Sequence, residues 1–342
     1  MSTLKEIATA AGVSVMTVSN VVNGRHHKVS VDTIDRINKL IEEMNYVPNA
    51  SARILSTSRS KLIAMCINNK SNTNVLEDPY NSFIVGAVSR QANEKEYAVL
   101  LENETEVPKI MSQLKSWNVA GAIFLGFTGN DLLTIEKEMT VPYVCLDCYP
   151  ESKNMVTIGT HDYNGGKLAG QYLTSLGHKR IAFASGPTIT DKNSKQLNPL
   201  LHYRFQGFQD ALKEEGLALQ EEYILKSEIT YDDGVQTGSH LALLKDVTAV
   251  FCTADILAAG VIEGLRLSGK KVPHEISVLG FDNLPISNYI SPKLSTINQQ
   301  HTLKGQSAVD YIVNMIESPE IVKPSIQYDV NLVERQTTLP IY

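Results

Sequence analysis

The stretch TLKEIATAAGVSVMTVSNVVN, residues 3–23, decides the fold of the amino-terminal region. Thr3, followed three residues later by Glu6, has the form of a capping box, and apolar residues then recur at helical spacing. Gly12 supplies a turn, and Ser14 can cap a second helix. The pattern predicts two short helices joined by a glycine turn, the arrangement that places a second helix in the major groove of DNA.

The predicted second helix has two different faces. Val18, Val21 and Val22 form an apolar stripe that we expect to be buried, and Met16 and Asn20 project roughly opposite to it. An outer face of small, uncharged side chains suits the floor of a groove better than open water. An ordinary helical hairpin inside another domain has the same spacing, so this motif alone leaves both interpretations open.

A third helix and a short fourth one are expected before residue 60. Ser30 can cap a helix whose apolar positions recur at helical spacing, namely Val31, Ile34, Ile37, Ile41 and Met44. Pro48 then ends one element, and the alanine-rich stretch after it predicts a short helix. Three helices followed by a short one favour the DNA-binding interpretation.

Charged residues are distributed unevenly: the first 60 residues carry a net positive charge and the rest of the chain a net negative charge. Residues 1–60 contain seven Lys/Arg against five Asp/Glu, whereas the whole chain of 342 residues carries a net charge of −6. A DNA module attached to a domain that does not bind DNA has this distribution. The sequence has no uninterrupted apolar run of membrane-spanning length and no signal-peptide pattern, so we expect a cytoplasmic protein without a membrane partner.

The four cysteines, Cys66, Cys145, Cys148 and Cys252, mostly lie in apolar, strand-like runs. Cys145 and Cys148 form a C-x-x-C, but no second pair and no histidine at metal spacing accompany them. We therefore expect reduced, buried thiols rather than a metal site, and we expect no metal and no cofactor.

After residue 60 the pattern changes to alternating strands and helices. Short runs rich in β-branched residues predict strands at 62–67, 98–101, 122–125, 141–146, 181–184, 249–252 and 276–280. Helical stretches between them include 83–96, 165–176, 204–215, 255–268 and 302–317. This alternation predicts an α/β fold of mainly parallel, doubly wound sheets, and seven strands over this length fit two sheets better than one.

The order of the motifs resembles the lactose/galactose-repressor (LacI/GalR) family from Leu4 to about Arg335. The amino-terminal motifs are T-L-K-E-I-A-x-x-A-G-V-S-x-x-T-V-S-x-V-x-N-G and Y-x-P-N-A-x-A-R-x-L. Further along the chain come L-G-H-K-R-I-A, R-x-x-G-F, D-x-x-A-x-G, V-P, I-S-V-L-G-F-D-N and T-I-N-Q.

The resemblance implies three regions. Residues 1–49 would form a helix-turn-helix domain, 50–60 a hinge helix and linker, and 61–342 a periplasmic-binding-protein-like domain that binds an effector and dimerises. Its N-lobe would comprise about 61–160 and 292–322, and its C-lobe about 161–291 and 323–342, with crossovers near 158–162, 288–294 and 321–325. Ligands bind beyond the carboxyl ends of parallel strands, so the two facing lobes would enclose a cleft.

The resemblance also implies DNA contacts. Val15, Met16 and Asn20 would read bases, the first two on thymine methyl groups and Asn20 on an adenine edge. Backbone contacts are expected from Ser14, Thr17, Ser19, Asn23, Arg25 and Tyr46. Leu55 would be a minor-groove wedge, although a linker leucine packing on its dimer mate is the alternative. His26 and His27 lie in a loop that is one residue longer than is common in the family, and we favour a solvated loop there.

For the effector, the family positions that match are Tyr80, Asn81, Asp147, His161, Arg204, Ile229, Asp255 and Gln299. Asp255 and Arg204 would grip hydroxyls or a charged head group, and a plain salt bridge is the alternative. Asn81 stands where relatives often have an aromatic residue, which favours a sugar. His161 and Ile229 depart from the common residues, and the segment from Thr188 to Tyr203 is longer than usual, so no contacts are carried over to it.

Taken together, these features predict a homodimeric transcriptional repressor of carbohydrate genes that binds operator DNA. A small effector, a sugar or sugar phosphate, would control it, with a purine, nucleoside or other small metabolite as the alternative. A stand-alone sugar-binding protein would share the body fold but lack the DNA module. An enzyme is disfavoured because the chain shows no nucleophile motif, phosphate loop or metal spacing.

Overall fold

The computed structural model describes residues 2–46, 60–68, 74–186, 198–318 and 325–341. Two compact units make up the chain, Met1–Ser60 and Lys61–Tyr342. The predicted hinge helix within 50–60, including Leu55, lies outside the described residues apart from Ser60.

In residues 2–46, the part of the amino-terminal unit that the structure describes together with Ser60, there are three α-helices, α1 (Leu4–Ala11), α2 (Val15–Val22) and α3 (Val31–Glu43), and a 3-10 turn at His26–Lys28. The predicted capping box is present: the Glu6 amide donates to Thr3 Oγ1 at 3.3 Å, and the Thr3 amide donates to the Glu6 carboxylate at 2.8 Å. Gly12 has a φ of +64°, which favours glycine, and it ends α1 sharply enough for α2 to begin three residues later.

The core of this unit forms where the apolar faces of the three helices meet. Ile7, Val18 and Ile37 are fully buried, one from each helix. Val31, the first of the apolar positions that recur at helical spacing in α3, is 70% exposed. The reason is positional: α3 begins at Val31, and its contact with the other helices is centred more than a turn later, at Ile37.

The second unit is built on two six-stranded sheets. The first sheet has the strand order β11-β5-β4-β3-β1-β2 and the second β12-β10-β9-β8-β6-β7. The strands are β1 (Leu62–Ile67), β2 (Ala98–Glu102), β3 (Gly121–Leu125), β4 (Tyr143–Leu146), β5 (Thr157–Thr160), β6 (Ile181–Ser185), β7 (Ile224–Lys226), β8 (Ala249–Cys252), β9 (Ser277–Asp282), β10 (Ser295–Asn298), β11 (Ile326–Tyr328) and β12 (Asn331–Val333). Among the described pairings, only β10 with β12 is antiparallel.

Helices cover both faces of each sheet. They are α4 (Pro79–Glu94), α5 (Val107–Ser116), α6 (Asn130–Glu138), α7 (Asp162–Ser175), α8 (Pro199–Glu214), α9 (Tyr231–Leu241), α10 (Asp255–Leu267), α11 (Ile286–Tyr289) and α12 (His301–Glu317). Separate apolar clusters fill the two sides of each sheet. The predicted architecture, two doubly wound parallel sheets forming two lobes, is therefore confirmed.

The second and third crossovers lie further along the chain than predicted. The strand β10 pairs with β9 in the second sheet, and α12 then packs on the first lobe, so the second crossover is at 299–300 rather than 288–294. The third falls between β11 and β12, not at 321–325. Both were misplaced because β10 to β12 are strands of three or four residues with mixed polar sequences, which give no strong apolar pattern.

Close packing of α7 on α8 depends on two glycines. A Cβ at Gly166 would lie 1.9 Å from the Arg204 carbonyl oxygen, and one at Gly207 would lie 1.9 Å from that of Tyr163. Because neither glycine has a side chain, the backbones of the two helices can touch. This contact sets the distance between the start of α7 and α8.

The four cysteines are free thiols and are buried, as expected from their sequence context. Burial raises the pKa of the Cys252 thiol, and that of Cys66, above the ordinary value for cysteine. Within the described residues, no helix is both long enough and apolar enough to cross a membrane.

Candidate functional site: nucleic-acid interface and ligand cleft

The α2 helix presents an exposed edge opposite its buried stripe. Val18 is fully buried, whereas Val15 is 45% and Met16 68% exposed, and Asn20 is half-buried. Exposure of two apolar side chains to water at the start of a helix is unfavourable, so this edge suits a contact with another molecule. The arrangement is that of a recognition helix, whose first residues meet base edges.

The polar residues around this edge are already ordered by local hydrogen bonds. Ser14 caps α2 by accepting from the Thr17 amide at 3.1 Å, and the two hydroxyls lie 2.9 Å apart. Asn23 Nδ2 donates to the Ser19 carbonyl at 2.7 Å. These contacts hold hydroxyl and amide groups next to the exposed edge, where they can meet phosphates.

The remaining predicted DNA contacts differ in their exposure. Arg25 is exposed after the end of α2, whereas Tyr46 is half-buried and packs on the core of the unit. Leu55 lies outside the described residues, so its assignment as a wedge stays a prediction.

In the second unit, polar side chains gather where parallel strands end. Asp147 directly follows β4, Asp282 is the last residue of β9, and Asp255 opens α10 just after β8. Gln299 follows β10 at the second crossover. All four are buried, and they lie beyond the carboxyl ends of the strands, where doubly wound sheets bind ligands.

A lysine bonds directly to two of the predicted cleft residues, and a third bonds to one of these two. Lys304 Nζ donates to Asp147 Oδ1 and to Gln299 Oε1, each at 2.7 Å, and the lysine is fully buried on α12. The Tyr80 hydroxyl donates to the other carboxylate oxygen of Asp147. Burial, and then the charge of Asp147, raise the pKa of the Tyr80 phenol, so this tyrosine stays a neutral donor.

The network continues into the second lobe through two neighbouring carboxyl groups. Gln299 Nε2 donates to Asp282 Oδ1, and the Asp255 amide lies 3.4 Å from Asp282 Oδ2. Asp255 itself accepts from the Thr296 hydroxyl at 2.6 Å and from the Leu284 amide at 2.8 Å. Burial, together with the charge of Asp282, raises the pKa of Asp255 well above its ordinary value.

Arg204 forms the second cationic centre of the cleft. Its Nε donates to Asp162 Oδ1 and its Nη1 to the Thr253 carbonyl, both at 2.8 Å, and its guanidinium lies 3.5 Å from the centre of the Phe281 ring. The Tyr149 hydroxyl donates to Asp162 Oδ2 at 2.5 Å. Tyr149 belongs to the first lobe, so this contact spans the cleft.

The structure does not pair Asp255 with Arg204 as a salt bridge, and their joint contact with a ligand stays a prediction. The ion partner of Arg204 is Asp162, and Asp255 bonds to a hydroxyl and an amide instead. The spacing in the sequence did not reveal this because Asp162 opens α7, whose packing against α8 is set by the tertiary fold.

Three predicted ligand residues remain apart from this network. Asn81 donates its side-chain amide to the Val75 carbonyl at 3.1 Å. His161 is partly exposed, with Nε2 3.7 Å from Asp329. Ile229 packs partly buried against the core of the second lobe. Their roles as ligand contacts stay predictions.

Four further residues of this network were not predicted from the sequence: Tyr149, Asp162, Asp282 and Lys304. A signal was present for Lys304: it falls on the helical spacing of Ala308 and Tyr311, the buried stripe of α12, where an unpaired lysine would be costly. Tyr149 lies close to the segment 188–203, because the ring centre of Tyr203 is 4.9 Å from its own. Residues 188–197 of that segment lie outside the described residues.

The chemistry of these residues is that of binding rather than of bond cleavage. The cleft offers carboxylate and amide oxygens as acceptors, with tyrosine hydroxyls, an arginine and a lysine as donors. Among the residues that the structure describes, no three His, Cys, Asp or Glu side chains are grouped as metal ligands.

Comparison with known proteins gives two matches to family models. Residues 3–49 match the model described as bacterial regulatory proteins, lacI family, and residues 171–338 match a periplasmic binding protein-like domain. The HTH-type transcriptional repressor PurR of Pasteurella multocida (strain Pm70) is 31% identical over 345 residues, covering 98% of both chains.

Solved structures match over the same length. The Lac repressor dimer bound to operator and the anti-inducer ONPF has a TM-score of 0.85 at 27% identity and covers 99% of both chains. A complex of the transcriptional regulator CelR with cellobiose has a TM-score of 0.71 at 27% identity, covering 98% of this chain and 100% of that one.

Proposed function

The chain belongs to the lacI family of bacterial regulatory proteins, and from this premise we propose that it binds a two-fold symmetric operator as a homodimer under the control of a small effector. As a repressor of this family it is a DNA-binding regulator and not an enzyme. Because chromosomal DNA is its target, we place it in the cytoplasm.

The exposed edge of α2 is the observation that carries the DNA-binding half of the proposal. Val15 and Met16 face outward at its first turn, while the opposite side of the helix is anchored by fully buried Val18. Apolar side chains at these positions can pack on thymine methyl groups, and Asn20 can bond an adenine edge. Ser14, Thr17, Ser19, Asn23, Arg25 and Tyr46 would set the register through phosphates.

We assign Leu55 as the minor-groove wedge of a hinge helix that folds when two copies meet on the operator. The assignment rests on its A-x-A-R-x-L context and on the physics of short helices, since a seven-residue helix is not stable by itself. The similarity to the Lac repressor dimer bound to operator supports the dimeric, DNA-bound arrangement for this chain.

For the effector we propose a sugar, with a purine as the second candidate. Acceptors and donors on both lobes suit a ligand with several hydroxyl groups, and a similar structure is a complex with cellobiose. The purine is favoured instead by the relatives named PurR. Asp255, Arg204, Asp147 and Gln299 would carry recognition in either case.

The proposal is tested by selecting duplexes from random DNA with the full chain and then measuring affinity against salt. A dimer that makes about ten phosphate contacts should give a log–log slope near −9. In the Leu55→Ala variant, the ratio of specific to non-specific affinity should fall by about tenfold or more, with little change of slope. A slope near zero, or full-affinity binding by a monomer, contradicts the proposal.

A screen of free sugars, nucleobases and nucleosides by thermal shift then separates the two effector classes. The class that both raises the melting temperature and changes operator affinity is the effector. Stabilisation by purines alone would reject the sugar and leave the repressor assignment intact.

A further inference from the structure

Four consecutive ionisable residues follow the recognition helix. Residues 25–28, which we call the basic turn, are Arg25 at the N-cap and then His26, His27 and Lys28 in the 3-10 turn itself. All four are exposed, and none of them forms an ion pair with another described residue. The free protein therefore presents two cations and two imidazoles to solvent directly after α2.

The basic turn is fixed to the exposed edge of α2 by the backbone. Gly24 has a φ of +72°, so the chain reverses at the end of the helix, and the Arg25 amide then donates to the Asn20 carbonyl at 2.8 Å. Asn23, just before this reversal, follows Met16 by two helical turns and lies on the same face. A duplex that contacts Met16 and Asn20 therefore has its sugar-phosphate backbone close to the basic turn.

The positive charge of the amino-terminal helices is confined to this turn. Residues 2–46 contain five Lys/Arg and five Asp/Glu, so they carry no net charge when histidine is neutral. The third helix, α3, holds four of the acidic residues and two of the basic ones. Between Ile7 and Val31, every charged or titratable residue belongs to the basic turn. Attraction of these helices to a polyanion therefore depends on the charge state of residues 25–28.

Half of the basic turn can change its charge near neutral pH. Histidine is the side chain that titrates between pH 5 and pH 8, so His26 and His27 add up to two positive charges as the pH falls. The helix packed against the turn, α2, has no charged side chain, and α3, which follows it, has Asp32 and Asp35 in its first two turns. A phosphate next to an imidazole favours its protonated form, so protonation and DNA binding should promote each other.

We infer that the basic turn is a phosphate-binding site controlled by protonation: His26 and His27 take up protons when DNA binds, and operator affinity rises as the pH falls. The inference rests on the proposed function and adds a second means of regulation to it, because acidification tightens operator binding without an effector. Phosphates are the same in every duplex, so specific and non-specific DNA should respond alike.

The test measures the affinity of the full chain, without effector, for a duplex selected from random DNA and for an unrelated duplex of equal length. We expect affinity at least about tenfold higher at pH 6 than at pH 8. At pH 6 the log–log slope against salt should be steeper by about 3 to 4, because each of the protonated histidines of a dimer neutralises one phosphate. Calorimetry in two buffers of different ionisation enthalpy should show proton uptake on binding.

Two double variants fix the basic turn in its neutral and its charged state. His26→Gln/His27→Gln keeps polar side chains that do not protonate, so its affinity should stay at the pH 8 value of the unsubstituted chain. His26→Lys/His27→Lys carries permanent charge, and at pH 8 it should bind as the unsubstituted chain does at pH 6. His274→Gln is the matched control, because His274 is an exposed histidine of the second unit, and its pH profile should be unchanged.

Circular dichroism shows whether each variant is folded, and the pH profile and proton uptake of the unsubstituted chain decide the question if a variant is not. Three results would overturn the inference: equal affinity of the unsubstituted chain at pH 6 and pH 8, binding without proton uptake, or a folded His26→Gln/His27→Gln variant that keeps the original pH profile. Failure to bind any selected duplex at any pH rejects the proposed function instead, so the two outcomes are distinguishable.

Discussion

Lys304 Nζ lies 2.7 Å from Asp147 Oδ1, and the two side chains are 0% and 3% exposed. The lysine is on α12 and the aspartate follows β4, so the pair ties the helix that begins at the second crossover to the sheet of the first lobe. Its third neighbour is the Tyr80 ring, whose centre is 5.1 Å from Nζ. Because the pair is buried, replacing only one of the two residues should lower the stability of the protein more than replacing both.

We predict that Lys304→Met lowers the free energy of unfolding of the second unit by about 3–5 kcal/mol, because it leaves the Asp147 carboxylate buried without a cation. The double variant Lys304→Met/Asp147→Asn should recover most of this loss. Urea unfolding followed by circular dichroism measures both. Lys270→Met is the control: its ion pair with Glu275 is exposed, and its loss should cost less than about 1 kcal/mol. Equal effects of the two single variants would contradict the importance of burial.

A methyl group added at Gly166 should disturb the cleft from a distance. The new Cβ would meet the Arg204 carbonyl oxygen at 1.9 Å, so α7 and α8 must separate and the Arg204–Asp162 ion pair must shift. We expect Gly166→Ala to destabilise the second unit by about 1–3 kcal/mol and to weaken effector binding.

Gly86→Ala serves as the comparison for this variant. Gly86 lies in α4 with open space around its Cβ position, so alanine there should stabilise by about 0.5–1 kcal/mol. Thermal unfolding of both variants measures the difference. If the Gly166→Ala protein is as stable as the unsubstituted chain, α7 and α8 can move apart without loss of stability, and the prediction is contradicted.

Met16→Ala should separate DNA recognition from folding. Met16 is 68% exposed on α2, so its truncation leaves the core of the amino-terminal unit unchanged, while operator affinity should fall by about 1 kcal/mol or more. Fluorescence anisotropy with specific and non-specific duplexes measures the change. Val31→Ala, at a residue 70% exposed at the start of α3, is the matched truncation and should not alter affinity. If both variants bind alike, the exposed edge of α2 is not the reading surface.

Effector affinity should depend on pH through Asp282. Burial raises the pKa of this carboxyl to about 7; the charge of Arg204 opposes the shift, that of Asp78 adds to it, and hydrogen bonds from Gln299 and the Asp255 amide oppose it. A ligand that donates hydrogen bonds favours the ionised form and lowers this pKa. Binding therefore releases a proton, and affinity should rise from pH 6 to pH 8 by up to about tenfold per unit.

Calorimetry in two buffers of different ionisation enthalpy detects the released proton. The dependence should be absent in Asp282→Asn, which has no carboxyl group to titrate at this position. Persistence of the same pH profile in that variant would assign the titration to another group, such as His301, whose pKa is lowered by burial and by Lys304.

The sequence by itself determined the elements that depend on local patterns. The capping box of Thr3 and Glu6, the turn at Gly12 and the long apolar strands of both sheets appear where the pattern predicted them, because caps, turns and apolar periodicity act over a few residues. The short strands β10 to β12, with mixed polar sequences, gave no such pattern, and two crossovers were misplaced for that reason.

Only the tertiary structure decided which charges meet. Asp147 and Lys304 are 157 residues apart, and the ion partner of Arg204 is Asp162 and not Asp255. The sequence placed Asp147, Asp255 and Gln299 at strand ends, but it could not show that a lysine on the buried stripe of α12 neutralises one of them. Ion pairing inside a cleft depends on the distance between lobes and helices, which is set by packing contacts such as those of Gly166 and Gly207 and not by spacing along the chain.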